Sequence, residues 1–145
     1  MVFELRTRYR GTPRAVREAR NAIVDFARVC GFSSQLTVDI ALAAGEALAN
    51  AVEHGNKDLG YVGLFCRFED GELTIEVRDE GHGFDYTATV KRRREPTSVR
   101  GYGITIMHAL MDEVAYVDRG TTVRLRKRLV EAAVEDEDGN GTQGA

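Results

Sequence analysis

The chain is predicted to fold as an α+β protein, a two-layer α/β sandwich with three helices packed on one face of a mixed, mostly antiparallel sheet. Three observations predict it. Apolar residues recur at helical spacing in long stretches, one of them rich in alanine. Other short stretches alternate at period two, and Asp70-Gly71 joins two of them as a hairpin. The apolar face of that hairpin needs a covering layer, which the amphipathic helices can supply. At 145 residues, 43% hydrophobic and 30% charged, the chain is long enough for one domain with a real core.

Residues 1–10 alternate loosely, with Val2 or Phe3, Leu5 and Tyr9 as core contacts, and read as an edge strand. Thr12-Pro13 then supplies an N-cap followed by proline at the first helical position. The helix runs to about Cys30, with Val16, Ala19, Ile23, Phe26 and Cys30 inward and Gly31 as its stop. Its other face carries Arg14, Arg17, Glu18 and Arg20, a solvated surface or one that meets a partner protein. Ser33-Ser34 caps a second helix whose central stretch, Asp39 to Lys57, fades at Gly55-Asn56-Lys57. Val62, Leu64, Cys66 and Phe68 then share one side of a strand, and Leu73, Ile75 and Val77 one side of the returning strand. Residues 85–100 are polar, basic and aperiodic, and a connection of that length reads as a functional lid. Gly101-Tyr102-Gly103 opens a third helix, ITIMHALMDEV, with Ile104, Met107, Ala109 and Leu110 or Met111 inward. A short strand over residues 114–118 follows. Arg119-Gly120 turns into a last strand carrying Val123 and Leu125.

The net charge of −3 is unevenly spread. Glu131, Glu135, Asp136, Glu137 and Asp138 lie in residues 131–145, which contain no Lys or Arg. The expected organisation is therefore a folded domain over residues 1–130 and an acidic, Gly-rich, disordered tail over 131–145. Before the tail, acids and bases nearly balance, so no broad basic face is implied and direct nucleic-acid binding is not expected. Cys30 and Cys66 match no metal or redox spacing and read as small buried hydrophobes in a reducing compartment. With no signal-peptide pattern and no apolar run long enough for a bilayer, a cytoplasmic protein without membrane contact is expected.

Chemistry concentrates in three places. Glu46, Asn50 and His54 fall at i, i+4 and i+8 on the second helix and stack on one face. Such a stripe either faces solvent or lines a site, because burying it without a charged partner is costly. Asp79-x-Gly81-x-Gly83-Phe84 ends a strand, and Gly101-x-Gly103 begins a helix. Glycines there let backbone approach a ligand, and a helix N-terminus suits phosphate. Neither cluster is a Walker A loop or a dinucleotide fingerprint.

The order Glu-x3-Asn on a helix, Asp-x-Gly-x-Gly-Phe after a strand, Gly-x-Gly at a helix start and Gly-Thr before a final strand resembles the GHKL ATPases, which share the Bergerat ATP-binding fold. Within that superfamily the short chain and the run GYGITIMHALMDEV look like the bacterial anti-sigma-factor serine/threonine kinases. The resemblance covers roughly residues 5 to 128. It implies ATP and Mg²⁺ as cofactors, with Asn50 coordinating Mg²⁺ and Glu46 as the catalytic base. Asp79 would recognise the adenine amino group, and Gly81, Gly83 and Phe84 would make room for the nucleotide. Gly101, Tyr102, Gly103 and Ile104 would offer backbone N–H groups to the phosphates, and Arg100 would reach the γ-phosphate. Thr121, or Thr122 one position on, would support the adenine site. His54 takes a structural role and His82 none. No histidine-bearing helical hairpin or transducer domain matches, so a stand-alone protein acting on a separate partner is expected.

The function implied is a serine/threonine protein kinase that phosphorylates an anti-sigma-factor antagonist and sequesters a sigma factor, as a homodimer. Two alternatives stand beside it. One is a nucleotide-binding partner-switching module without kinase turnover. The other is a kinase of the same fold in a stress-signalling complex that binds no sigma factor.

Overall fold

The computed structural model describes residues 1–54, 60–79 and 101–129. Their elements are β1 (Val2–Arg10), α1 (Pro13–Cys30), α2 (Ser34–His54), β2 (Tyr61–Glu69), β3 (Glu72–Asp79), α3 (Gly101–Leu110), β4 (Glu113–Val117) and β5 (Thr122–Arg128). The strands form one sheet in the order β1-β2-β3-β5-β4, every pairing antiparallel, and the three helices cover one face. The expected two-layer architecture is present, and β1 is the edge strand that the sequence predicts.

Local chemistry sets the helix ends. The Thr12 hydroxyl accepts a hydrogen bond from the Ala15 amide at 3.2 Å, and Pro13 occupies the first turn, where its missing N–H costs nothing. Gly31 adopts φ 105° and closes α1 with its N–H on the Ala27 and Arg28 carbonyls, a conformation that suits glycine. Phe32, next in the chain, packs edge-on against Phe68 of β2 with ring centroids 5.9 Å apart. That contact ties the short α1–α2 turn to the sheet. Ser33 then caps α2, its hydroxyl accepting from the Leu36 amide at 3.2 Å. The second helix thus begins at Ser34, and the expected fade beyond His54 lies outside the described residues.

The buried stripe of α1 is Ala15, Ala19, Ile23, Ala27 and Cys30, with Val16 and Phe26 half-buried at its margins. Ile40 and Leu48 of α2, Leu64 of β2, Leu73 and Ile75 of β3, Ile104 and Met107 of α3 and Leu125 of β5 complete the core. Each such side chain removed from water contributes about 1.5–3 kcal/mol, offset by the entropy of ordering the chain.

The third helix is shorter than its apolar pattern suggests. It ends at Leu110, and Ala109 is exposed while Met111 is buried. The reason is Asp112. Its amide donates to the Arg126 carbonyl at 2.9 Å and its carboxylate accepts from the Arg128 amide at 2.6 Å, so both groups already belong to the edge of β5. β4 accordingly starts at Glu113, one residue earlier than expected.

Candidate functional site

Asn50, Asp79 and Thr121 are far apart in sequence and meet in one crevice between the helices and the sheet. Helical periodicity brings Asn50 over the sheet from α2, where it is 6% exposed. Asp79 is the last residue of β3 and alternates onto the helix side, 3% exposed. Its amide donates to the Thr121 carbonyl at 2.8 Å, which fixes the turn before β5 against the end of β3. Ala47, Val77, Met107 and Val123 line the crevice with apolar surface, and Ala51, Tyr116 and Gly120 complete it. Among the described residues the enclosed volume is about 10 Å³, close to the space one water molecule needs.

The turn that carries Thr121 is unusual backbone. Asp118, Arg119 and Gly120 follow one another with φ 54°, 59° and 86°. Two non-glycine residues in the left-handed region cost about 1–2 kcal/mol each, and the surrounding contacts must hold them there. Part of that hold is visible. The Thr121 amide and hydroxyl donate to the Asp118 carbonyl at 3.1 and 2.7 Å, and the Thr122 hydroxyl donates to the Asp118 carboxylate at 3.3 Å. Thr121 and Thr122 point to different sides: Thr121 lines the crevice, and Thr122 lines a hollow on the opposite face of the sheet. Of the two threonines, Thr121 is therefore the one on the crevice side.

Glu46 lies one turn before Asn50 on α2, half-buried. Its carboxylate rests against Gly103 at the first turn of α3. A Cβ at position 103 would collide with Glu46 Oε1 and stand 3.4 Å from its carboxyl carbon. Gly103 is therefore required for close approach: only a residue without a side chain lets the carboxylate sit there. The N-terminal turn of α3 presents positive partial charge, which favours an anion at that spot. Ile104 sends its side chain into the core, fully buried.

Of the residues expected at a site, the structure brings Asn50, Asp79 and Thr121 together in the crevice and sets Glu46, one helical turn from Asn50, against Gly103. Gly101 and Tyr102 occupy the first positions of α3. Gly81, Gly83, Phe84, Arg100 and the proposed lid over residues 85–100 lie outside the described residues. Sequence reasoning missed Ala47, Tyr116 and Gly120 as walls of the crevice. The alternation of residues 114–118 does put Tyr116 on the helix side, but which strand it would lie beside was not readable.

A divalent cation finds only partial support from these residues alone. Among the described residues no group of three His, Cys, Asp or Glu side chains converges. Asn50 offers a neutral oxygen, which fits Mg²⁺ arriving with phosphate oxygens and water rather than a bare ion. The two cysteines are buried elsewhere in the core, where burial pushes the Cys30 thiol up to about 11 and the Cys66 thiol up to about 12, so neither is a nucleophile at neutral pH. No helix among the described residues is long and apolar enough to cross a membrane.

With this geometry in view, comparison with known proteins is specific. Residues 9–127 match the family model described as a histidine kinase-like ATPase domain. The chain is 33% identical to the anti-sigma F factor of Clostridium acetobutylicum, over 81% of this chain and 92% of the relative. It is 37% identical to the anti-sigma F factor of Geobacillus thermodenitrificans, over 79% of this chain and 90% of the relative. It is 29% identical to the serine-protein kinase RsbW of Listeria monocytogenes, over 86% of each. The fold is similar to a crystal structure of the RsbU and RsbW domains of a Mycobacterium tuberculosis protein, with TM-score 0.66 and 24% identity. That match spans 88% of this chain and 32% of the other. The α+β sandwich, the converging polar residues and these matches lead to one assignment: the chain belongs to the histidine kinase-like ATPase domain family.

Proposed function

We propose that the protein is an ATP- and Mg²⁺-dependent serine/threonine protein kinase that also acts as an anti-sigma factor. The observation that carries this reading is the crevice itself, where Asn50 and Asp79 are buried beside Thr121, with Glu46 one helical turn away against the start of α3. The names of the relatives, anti-sigma F factor and serine-protein kinase RsbW, support the choice of substrate class.

In this reading Asp79 accepts a hydrogen bond from the adenine amino group, and the apolar walls around Val77, Met107 and Val123 sandwich the base. Thr121 holds the same end of the crevice through the backbone bond to Asp79. The first turn of α3, from Gly101 to Ile104, donates backbone N–H groups to the phosphates, and Arg100 meets the γ-phosphate. The amide oxygen of Asn50 would hold Mg²⁺, which would supply neutralisation of phosphate charge there. Glu46 takes the proton from a serine or threonine hydroxyl as that oxygen bonds to the γ-phosphorus and ADP leaves. Phosphoryl transfer depends mostly on positioning and charge stabilisation, so one carboxylate suffices as base. The phosphorylated protein is an anti-sigma-factor antagonist, the sequestered partner a sigma factor, and the working form a cytoplasmic homodimer. Residues 1–130 form the nucleotide-binding domain and residues 131–145 a separate acidic tail.

Two measurements test the reading. Titration of labelled ATP with Mg²⁺ should show saturable binding that Asp79→Ala removes; binding unchanged by that substitution would sink the adenine assignment. Incubation with radiolabelled ATP and a candidate antagonist should give a labelled serine or threonine. Glu46→Gln should slow that transfer by about 10²–10⁴-fold, the usual worth of a general base. Saturable binding without any labelled antagonist would instead favour a partner-switching module.

A further inference from the structure

The sheet face turned away from the helices is charged from end to end, and its charge is unevenly placed. Register sets the outward side chains in rows across the strands. Glu4, Arg67, Thr74, Arg126 and Glu113 make one row. There the charges cancel: Arg67 bridges Glu4 and, at 2.8 Å, Glu69, while Arg126 meets Glu113 at 3.1 Å. Two residues along, the row is Arg6, Phe65, Glu76 and Arg124, with Glu76 and Arg124 paired at 2.9 Å. The next row, Arg8, Gly63 and Arg78, contains no acid. The near-neutral balance of the folded part therefore conceals a half-face on which four arginines outnumber two acids, Glu76 and Asp118.

Around Gly63, which lacks a side chain, lies a hollow of about 550 Å³ lined by Arg6, Arg8, Arg78 and Arg124, with the acids Glu76 and Asp118 among them. The Arg6 guanidinium lies over the Phe65 ring at 4.3 Å and that of Arg8 over Tyr61 at 4.2 Å. Stacking occupies the flat faces of these groups and suits their in-plane N–H donors to carboxylates.

The chain carries a matching polyanion. β5 ends at Arg128, and the Leu129 amide donates to the Gly71 carbonyl at 2.8 Å, so the backbone leaves the sheet at its neutral end. Running back along β5, Arg124 is five residues away, and the Arg78–Thr122 pair seven, or about 17 and 23 Å at strand rise. Asp136, Glu137 and Asp138 follow Leu129 by seven to nine residues, a reach of about 23–30 Å for extended chain. Length and charge agree. A second copy stacked on this face would set basic rows against basic or neutral ones, whereas the tail brings five carboxylates and no cation.

We propose that the acidic segment over residues 131–145 docks within its own chain on the arginine-lined hollow around Gly63. Asp118 and Thr122 also line that hollow, and Gly120 and Thr121 of the same turn line the crevice on the other side of the sheet. The docked tail thus abuts the back of a nucleotide-site wall.

Paramagnetic broadening tests this with the full chain. Cys30 and Cys66 are buried, so a spin label placed on Asn140→Cys reports the tail alone. Amide signals of Gly63, Arg78 and Arg6 should lose most of their intensity at about 0.05 M salt and recover it at about 0.5 M, where exposed charges are screened beyond a few ångströms. The doubly substituted tail D136K/D138K should abolish the loss. Signals that keep full intensity at low salt overturn the proposal, as does broadening that persists in D136K/D138K. Broadening of isotope-labelled chains mixed with separate spin-labelled chains means a second copy supplies the tail, and also overturns it.

Discussion

The two faces of the sheet use polar groups in opposite ways. On the helix side, Leu64, Leu73, Ile75 and Leu125 are sealed from water, and two of the few buried polar residues, Asn50 and Asp79, meet in one crevice. On the open side, arginines and glutamates recur along β1, β2, β3 and β5, and the paired side chains of Arg124 and Glu76 remain 31% and 29% exposed. Stability therefore resides on one face, where each buried polar group is costly and points to chemistry. The other face contributes little stability.

That contrast can be broken by substitution. Leu64→Ala, on the sealed face, should cost about 2–5 kcal/mol in chemical denaturation, through lost burial and the cavity left behind; a loss near zero would mean that face is not the core. Gly103→Ala should leave stability nearly intact, because the atom it strikes is the mobile end of Glu46. It should still lower kcat about tenfold, roughly 1.4 kcal/mol at the transition state, by displacing the carboxylate. A Gly103→Ala protein with native kcat would show that Glu46 does not work from this position.

The Cys66 thiol offers a pH probe of the same face. Burial, with a smaller contribution from nearby Cys30, holds it neutral up to about 12. The unfolded chain ionises near pH 9, so between pH 9 and 12 only the unfolded state sheds this proton, and stability falls as pH rises. The loss should reach about 1 kcal/mol by pH 10 and be reduced in Cys66→Ala, read from denaturation midpoints. The smallest effect belongs to the open face. A double-mutant cycle on Arg124 and Glu76 should give a coupling under about 1 kcal/mol, as exposed pairs do; a coupling several times larger would erase the distinction between the faces.

Much of this was legible in the residues. Thr12-Pro13, Gly31 and Asp70-Gly71 act through neighbours a few positions away, so the first helix and the β2–β3 hairpin were readable with their ends. Glu46 and Asn50 were readable as a pair because helical spacing alone aligns them. The end of α3 was not, because Asp112 is claimed by Arg126 and Arg128 across the sheet. Nor was the order β3-β5-β4, on which the place of Tyr116 in the crevice depends. The balanced count of acids and bases also concealed the basic half-face, since segregation by row exists only once register is set.

The strand order also has a kinetic consequence. β5 comes last among the described elements yet lies between β3 and β4, so the centre of the sheet stays open until it arrives. The pair Glu72 and Arg128 closes a separation of more than fifty residues. Contacts of that span are slow to form and leave the facing edge of β3 exposed in the meantime. During synthesis, Asp79 and Thr121 cannot meet until the segment after α3 has left the ribosome, so the crevice they frame exists only once the fold is complete.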